Sequence, residues 1–176
     1  FMNAGDSFYD EGVLSRIFLN HNFRRLFADV IYGAVCCFDK YKKVLIQPAS
    51  LDKMNYRMPF CHQSSFVKRE LLLKYRFDTT FRISADYKLF YSLLKDGHRF
   101  DNTLECIANY ELDNSLSSKN AFLSEKENMT INQTWNKPFS MIGLCFKMVK
   151  FYSLRSLKLV LPGGLIKLVK EIKYRN

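Results

Sequence analysis

The sequence lacks any C-x-x-C pair, and its cysteine number is odd, five in 176 residues. Neither a disulfide framework nor a zinc site shows this spacing. The cysteines lie mostly inside apolar runs, so we expect reduced, buried thiols and a cytosolic compartment. They are Cys36, Cys37, Cys61, Cys106 and Cys145.

Long hydrophobic runs are also missing, although hydrophobic residues make up 48% of the chain. No apolar run reaches the roughly 20 residues that a membrane-spanning helix requires. No secretory signal peptide, internal repeat or low-complexity segment is visible. The aromatic content of 15% excludes a disordered composition. The chain can therefore build one sizeable core, with residues left over for a small appendage.

Acidic residues are scarce at the end of the chain. From Lys137 onward there are nine lysines and arginines but only Glu171 as an acid, so this tail holds most of the formal net charge of +10. Basic charge confined to a tail, without a recognisable reader motif, argues against nucleic acid as a partner.

The tail is also amphipathic. If its last segment is helical, lysines lie along one face. Apolar residues share another face, namely Leu165, Leu168, Val169 and Ile172. This pattern is typical of a helix lying in a membrane interface. The alternative is a packed pair of helices with a solvated basic face.

Strand-like and helix-like segments alternate up to Leu112, which predicts an α/β domain. The runs ADVIYGAVCCFD and VLIQP predict a hairpin, and FDNTLECIANYEL predicts one or two strands. A first helix is expected after a cap at Asp10, ending near 20–22, and a second over KRELLLKY. The clearest helix is SADYKLFYSLLKDG, with Ser84 as N-cap and Gly97 as stop. NAFLSEKENMTINQTW predicts a polar helix.

The opening residues Phe1 and Met2 read as the end of a buried strand, followed by a turn. A short apolar strand needs neighbours that pair with it and bury it. We therefore expect the chain to be a fragment, with strands missing upstream.

Three short stretches fall at the ends of predicted elements, where α/β proteins keep their sites: NAGD at 3–6, MPFCHQSS at 58–65 and RISADYKL at 82–89. In this order and spacing they resemble the second half of a family 2 glycosyltransferase with the GT-A fold. The resemblance implies a Rossmann-like mixed sheet that lacks its N-terminal nucleotide-binding strands. It covers 1–112 as a partial GT-A domain, and the sequence pattern makes 113–136 a helical linker and 137–176 a basic amphipathic helical tail.

The stretch FMNAGD is similar to the metal-binding motif of that family. The resemblance makes Asp6 the ligand of a divalent cation, Mn²⁺ or Mg²⁺, which neutralises the diphosphate leaving group. Asn3 stands where the fuller motif has an acid, and it is a candidate donor-binding residue. The alternative reading of NAGD is an ordinary turn with Gly5 at a permissive dihedral angle.

The stretch SADYKL is similar to the motif that carries the general base. The resemblance makes Asp86 the group that deprotonates the acceptor hydroxyl, so that in-line attack inverts the anomeric carbon. Ala85 replaces the usual glutamate, so an acidic neighbour in sequence is absent. Alternatively, Asp86 only complements the helix dipole.

The pair His62 and Gln63 is similar to the H-Q pair that follows the acceptor-side strand in relatives. His62 would contact the diphosphate of the donor, the metal or the acceptor, and Gln63 would contact the donor or the acceptor. A lone histidine also commonly serves the structure alone.

Together these motifs imply an inverting glycosyltransferase. It would move a sugar from a nucleotide-sugar donor, with UDP the expected nucleotide, to a lipid-linked or polysaccharide acceptor in cell-envelope glycan synthesis. The tail predicts a cytoplasmic enzyme bound peripherally to the inner face of the plasma membrane. The alternative is a non-catalytic membrane-binding or scaffolding remnant of the same fold. This alternative arises because the pocket that binds the nucleotide base of the donor would lie in the missing strands.

Overall fold

A computed structural model describes residues 6–19, 27–38, 43–111 and 120–135, with scattered residues between 142 and 156. The chain divides into two compact units, Phe1–Gln133 and Thr134–Asn176. Asn3, Gly5 and most of the tail lie outside the described residues. Within the described part of the chain, no helix is long and apolar enough to cross a membrane.

The first unit is a mixed α/β structure around a mixed sheet. Strand β2 lies at its centre, parallel to β5 on one side, while β4 and then β3 run antiparallel along its other side. Strand β1 pairs antiparallel with the outer edge of β5. The predicted hairpin is confirmed as the β2–β3 pair, and the described part of FDNTLECIANYEL, Phe100–Glu111, forms one strand. The strands are β1 (Ser7–Phe8), β2 (Val30–Phe38), β3 (Lys43–Ile46), β4 (Ser65–Val67) and β5 (Phe100–Glu111).

Four helices are described in this unit: α1 (Val13–Phe18), α2 (Arg69–Tyr75), α3 (Ala85–Lys95) and α4 (Ala121–Ile131). Helix α1 is shorter than predicted, and its N-cap is Gly12 rather than Asp10. The carboxylate of Asp10 instead accepts hydrogen bonds from the Gly12 amide and from the Arg16 guanidinium. Short 3₁₀ helices span Leu51–Asn55 and His62–Ser64.

Helix α3 forms as its sequence predicts. It buries Leu89, Phe90 and Leu93, and Ser84 occupies the N-cap position. Gly97 ends it with a φ of 81°, a left-handed conformation that glycine adopts without steric cost. The amide of His98 then donates to the Leu93 carbonyl, which satisfies one of the open carbonyls of the last turn.

The core consists of two apolar clusters that share strand β2. Val30 and Tyr32 belong to the cluster that contains the buried residues of α3, whereas Ile31 and Val35 belong to the cluster that contains α1. Alternate residues of a strand point to opposite faces, so both faces of β2 are covered. Ile131 of α4 packs in the α3 cluster. Helix α4, within the segment expected as a linker, is therefore part of the first compact unit.

Strand β5 contains a bulge opposite Gly33, where the register between β2 and β5 shifts. A Cβ at Gly33 would lie 2.4 Å from the backbone oxygen of Glu105 and 2.8 Å from Oγ1 of Thr103. Leu104, at the bulge, has a φ of 60° and is 76% exposed. Close backbone approach therefore requires glycine at position 33.

All five cysteines are free thiols. Cys36 and Cys37 are buried and Cys61 and Cys106 are half-buried, in line with the expected inert thiols. The expectation of burial is wrong for Cys145, which is exposed.

A charged cluster fastens the start of β2 to the neighbouring elements. The carboxylate of Asp29 accepts hydrogen bonds from Nζ of Lys68 at 2.9 Å and from the amide of Arg99 at 3.0 Å, and Nδ1 of His98 lies 3.2 Å away. The Lys68 ammonium, followed by the Arg99 amide, lowers the pKa of Asp29 from 3.8 to about 2.

We expect Asp29→Asn to lower the free energy of unfolding by about 1–2 kcal/mol at pH 7. This is less than the full pKa shift of Asp29 would give, because solvent screens the charge of the partly exposed Lys68. Because the folded pKa is the lower one, this contribution is complete above pH 4 and is lost as the pH falls towards 2. Urea unfolding of wild type and Asp29→Asn at both pH values should therefore show a smaller difference in the free energy of unfolding at pH 3 than at pH 7. Glu70→Gln removes one negative charge at an exposed position and is the control. It should lower the free energy of unfolding by less than about 0.5 kcal/mol at both pH values. An equal gap at both pH values would contradict the assignment.

Candidate functional site

The stretch CHQSS forms a tight turn that is fastened to the central strand. His62–Ser64 is a 3₁₀ helix that leads directly into β4. The hydroxyl of Ser64, which is fully buried, lies 2.9 Å from the carbonyl oxygens of Gly33 and Cys61. The hydroxyl of Ser65 donates to the carbonyl of His62 at 2.6 Å. These contacts hold the backbone of His62 at one place beside the sheet.

The first turn of α3 brings Asp86 against this turn. Nδ1 of His62 lies 2.8 Å from Oδ2 of Asp86, and both side chains are about 30% exposed. The other carboxylate oxygen of Asp86 accepts the Tyr87 amide at 2.7 Å. The structure therefore joins two residues that the sequence motifs singled out separately, and it leaves both partly open to solvent.

A small cavity of about 150 Å³ adjoins this pair. His62, Ser65 and Asp86 contribute its polar lining, and the remaining lining is apolar, from Phe66, Val67, Leu72, Phe77, Leu89 and Phe90. A carboxylate and an imidazole beside an apolar cavity are groups that can take up a proton from a ligand held there.

Asp6 lies just before β1 and is half-buried. Burial raises the pKa of the Cys61 thiol to about 12, and the negative charges of Asp6 and Asp86 also act on this thiol in the same direction. Both carboxylates thus lie in the surroundings of Cys61. They come from two distant parts of the sequence.

The described side chains do not form a complete metal site by themselves. Among the described residues, no group of three or more histidine, cysteine or acidic side chains could hold a metal ion. Mg²⁺ and Mn²⁺ accept one or two protein carboxylates when substrate phosphates supply other oxygens. Asp6 fits a cation that arrives with a diphosphate, and its role as metal ligand stays a prediction.

The remaining predicted site residues differ in their accessibility. Gln63 is only 5% exposed, and its side-chain oxygen accepts a hydrogen bond from the Cys61 thiol at 2.7 Å. This contact supports the turn that carries His62, and direct ligand binding by Gln63 stays a prediction. Asn3, the other candidate donor-binding residue, lies outside the described residues.

One residue of this region was missed by sequence reasoning. Glu127 of α4 is 8% exposed, and its carboxylate accepts the backbone amides of Arg82, Ile83 and Ser84. The predicted N-cap residue Ser84 makes no side-chain capping bond of its own. The sequence did offer one signal. Glu127 lies four residues before the apolar Ile131, a spacing that places both residues on the same face of a helix.

Comparison with known protein families finds no family model that matches the chain. Comparison with curated protein sequences likewise finds no significant match.

Proposed function

We propose that the chain is the acceptor-side part of an inverting glycosyltransferase of the GT-A class, with Asp86 as the general base. The observation that carries this proposal is the contact of 2.8 Å between His62 and Asp86 beside a cavity. The two residues are 24 positions apart in the sequence, and the motifs that contain them resemble two motifs of the same family. An α/β structure built around a mixed sheet is compatible with that fold.

In the proposed reaction Asp86 accepts the proton of the acceptor hydroxyl. The hydroxyl oxygen then forms a bond to the anomeric carbon of the donor sugar, while the bond from that carbon to the diphosphate oxygen breaks. The nucleoside diphosphate leaves with the bonding electrons, and the anomeric configuration inverts. His62 and the Tyr87 amide each hold one oxygen of the Asp86 carboxylate, which reduces the number of orientations it can adopt.

Asp6 would hold the divalent cation, which supplies charge neutralisation for the leaving diphosphate. The donor would be a nucleotide sugar, with UDP as the expected nucleotide. The apolar wall of the cavity would contact the apolar part of a glycan or lipid-linked acceptor and exclude water from the base.

The tail supports a place at the inner surface of the plasma membrane. In the second unit Ile142, Phe146 and Val149 have exposed side chains, and their spacing places them on one face of a helix. Exposed apolar side chains among many lysines favour binding to an anionic lipid surface.

Calorimetric titration of the intact protein with UDP, with and without Mn²⁺, tests the donor site. We expect binding that needs Mn²⁺ and that Asp6→Ala weakens at least tenfold, because the cation loses its protein carboxylate. Asp10→Ala is the matched control, since Asp10 is paired with Arg16, and it should bind UDP normally.

Equal affinity of the Asp6→Ala and Asp10→Ala variants would contradict the assignment of Asp6. Absence of any UDP or UDP-sugar binding by a folded wild-type protein would reject the proposed function. The non-catalytic membrane-binding protein would then be the better explanation.

A further inference from the structure

Glu127 is a buried acid that none of the sequence motifs includes. Its Oε1 lies 2.8 Å from the Arg82 amide, and its Oε2 lies 2.9 Å from the Ile83 amide and 2.8 Å from the Ser84 amide. A carboxylate that is 8% exposed is costly unless hydrogen bonds replace its water. Three consecutive amides provide that replacement, so this contact is specific rather than incidental.

The three amides lie immediately before the helix that carries the proposed base. Ser84 is the N-cap of α3, and the Lys88 amide donates to the Ser84 carbonyl at 2.9 Å as the first bond of the helix. Asp86 follows two residues later. An anion at this position also interacts favourably with the positive end of the helix dipole. Glu127 therefore holds the backbone segment that immediately precedes the helical turn of Asp86.

The partner of Asp86 is held independently. The turn that carries His62 is fastened to β2 through the buried hydroxyl of Ser64. The distance between His62 and Asp86 therefore depends on two anchors, Ser64 for the imidazole and Glu127 for the carboxylate. A loss of either anchor lets one partner move relative to the other.

We propose that Glu127 is a positioning residue, which sets the first turn of α3 so that Asp86 meets His62 in the geometry needed for proton transfer. Glu127 touches neither substrate nor reacting atom in this assignment, and it acts through the backbone of 82–84. The catalytic part of the inference rests on the proposed function. The geometric part, that Glu127 maintains the His62–Asp86 contact, can be tested without any activity.

The first readout is the ring nitrogen spectrum of His62, measured by long-range ¹H–¹⁵N correlation NMR on the intact protein. We compare wild type with Glu127→Gln, which keeps the side-chain shape but replaces one acceptor oxygen by a donor. Glu125→Gln, the same change two residues earlier in α4, is the matched control. We expect Glu127→Gln to move the Nδ1 signal of His62 and Glu125→Gln to leave it in place. An unchanged His62 signal in folded Glu127→Gln would overturn the proposal.

The second readout is the steady-state kinetics of sugar transfer. We expect Glu127→Gln to lower kcat about 10- to 100-fold with little change in the KM for the donor, because misplacement of the base affects the chemical step. A change confined to KM would overturn the catalytic part of the proposal. If wild type shows no transfer at all, the proposed function fails, and the NMR comparison still decides the geometric part.

Glu127→Gln also removes a buried contact, and its folding must be checked. If it does not fold, Glu127→Asp, which keeps the charge on a shorter side chain, replaces it with the same expectations. Wild-type hydrogen exchange provides a test that needs no variant. The Arg82, Ile83 and Ser84 amides should exchange slowly, and fast exchange of all three would overturn the proposal.

Discussion

Asp86→Asn is expected to lower the rate of sugar transfer by at least about 100-fold, the lower end of what general base catalysis contributes. The carboxamide cannot take the proton of the acceptor hydroxyl. Its oxygen can still accept one hydrogen bond, from the Tyr87 amide or from His62, so the fold should persist. The measurement is release of UDP from a panel of UDP-sugars in the presence of glycan and lipid-linked acceptors.

Asp96→Asn is the control for this prediction. Asp96 lies at the other end of α3, where it accepts a hydrogen bond from the Tyr75 hydroxyl. It shares the helix but not the cavity, so we expect normal transfer. UDP affinity should be unchanged in both variants, since neither residue is assigned to the donor. Transfer by Asp86→Asn within threefold of wild type would show that another group accepts the proton.

Gly33→Ala is expected to destabilise the protein by about 3 kcal/mol or more. The new Cβ would lie 2.4 Å from the Glu105 carbonyl oxygen, and a backbone atom in the middle of the sheet cannot move aside cheaply. The Gly33 carbonyl also accepts the Ser64 hydroxyl, so the shift would reach the turn that carries His62. Urea unfolding monitored by circular dichroism measures the loss.

Gly97→Ala is the matched control, because a Cβ there meets nothing within 4 Å. Its cost comes only from the left-handed φ of 81° and should be about 1 kcal/mol. If the two variants lost the same stability, the close approach of β2 and β5 at Gly33 would not be the cause.

Much of the local structure could be predicted from the sequence because it depends on local patterns. The apolar spacing of Leu89, Phe90 and Leu93 indicated helix α3, and Gly97 indicated its end. The apolar runs that became β2 and β3 indicated a hairpin. These signals are periodicity and backbone freedom, which a short window of residues contains in full.

The boundaries of α1 and the cap of α3 were predicted less well. Asp10 has the right chemistry for an N-cap, yet it pairs with Arg16, which reaches from within α1, and the helix starts later. Ser84 occupies the cap position, but Glu127, 43 residues away, supplies the capping bonds. In both places a side chain contact that local propensity does not include determined the outcome.

The sequence by itself determined helix α3, the hairpin of β2 and β3, strand β5, the α/β class, and that His62 and Asp86 were candidates. Only the tertiary structure decided that these two side chains meet at 2.8 Å, that Gln63 is buried, and that Glu127 accepts the backbone amides just before α3. The physical reason is the range of the interactions. Helix and strand patterns act between near neighbours along the chain, whereas a site is formed by contacts between segments that only the packing of both faces of the sheet brings together.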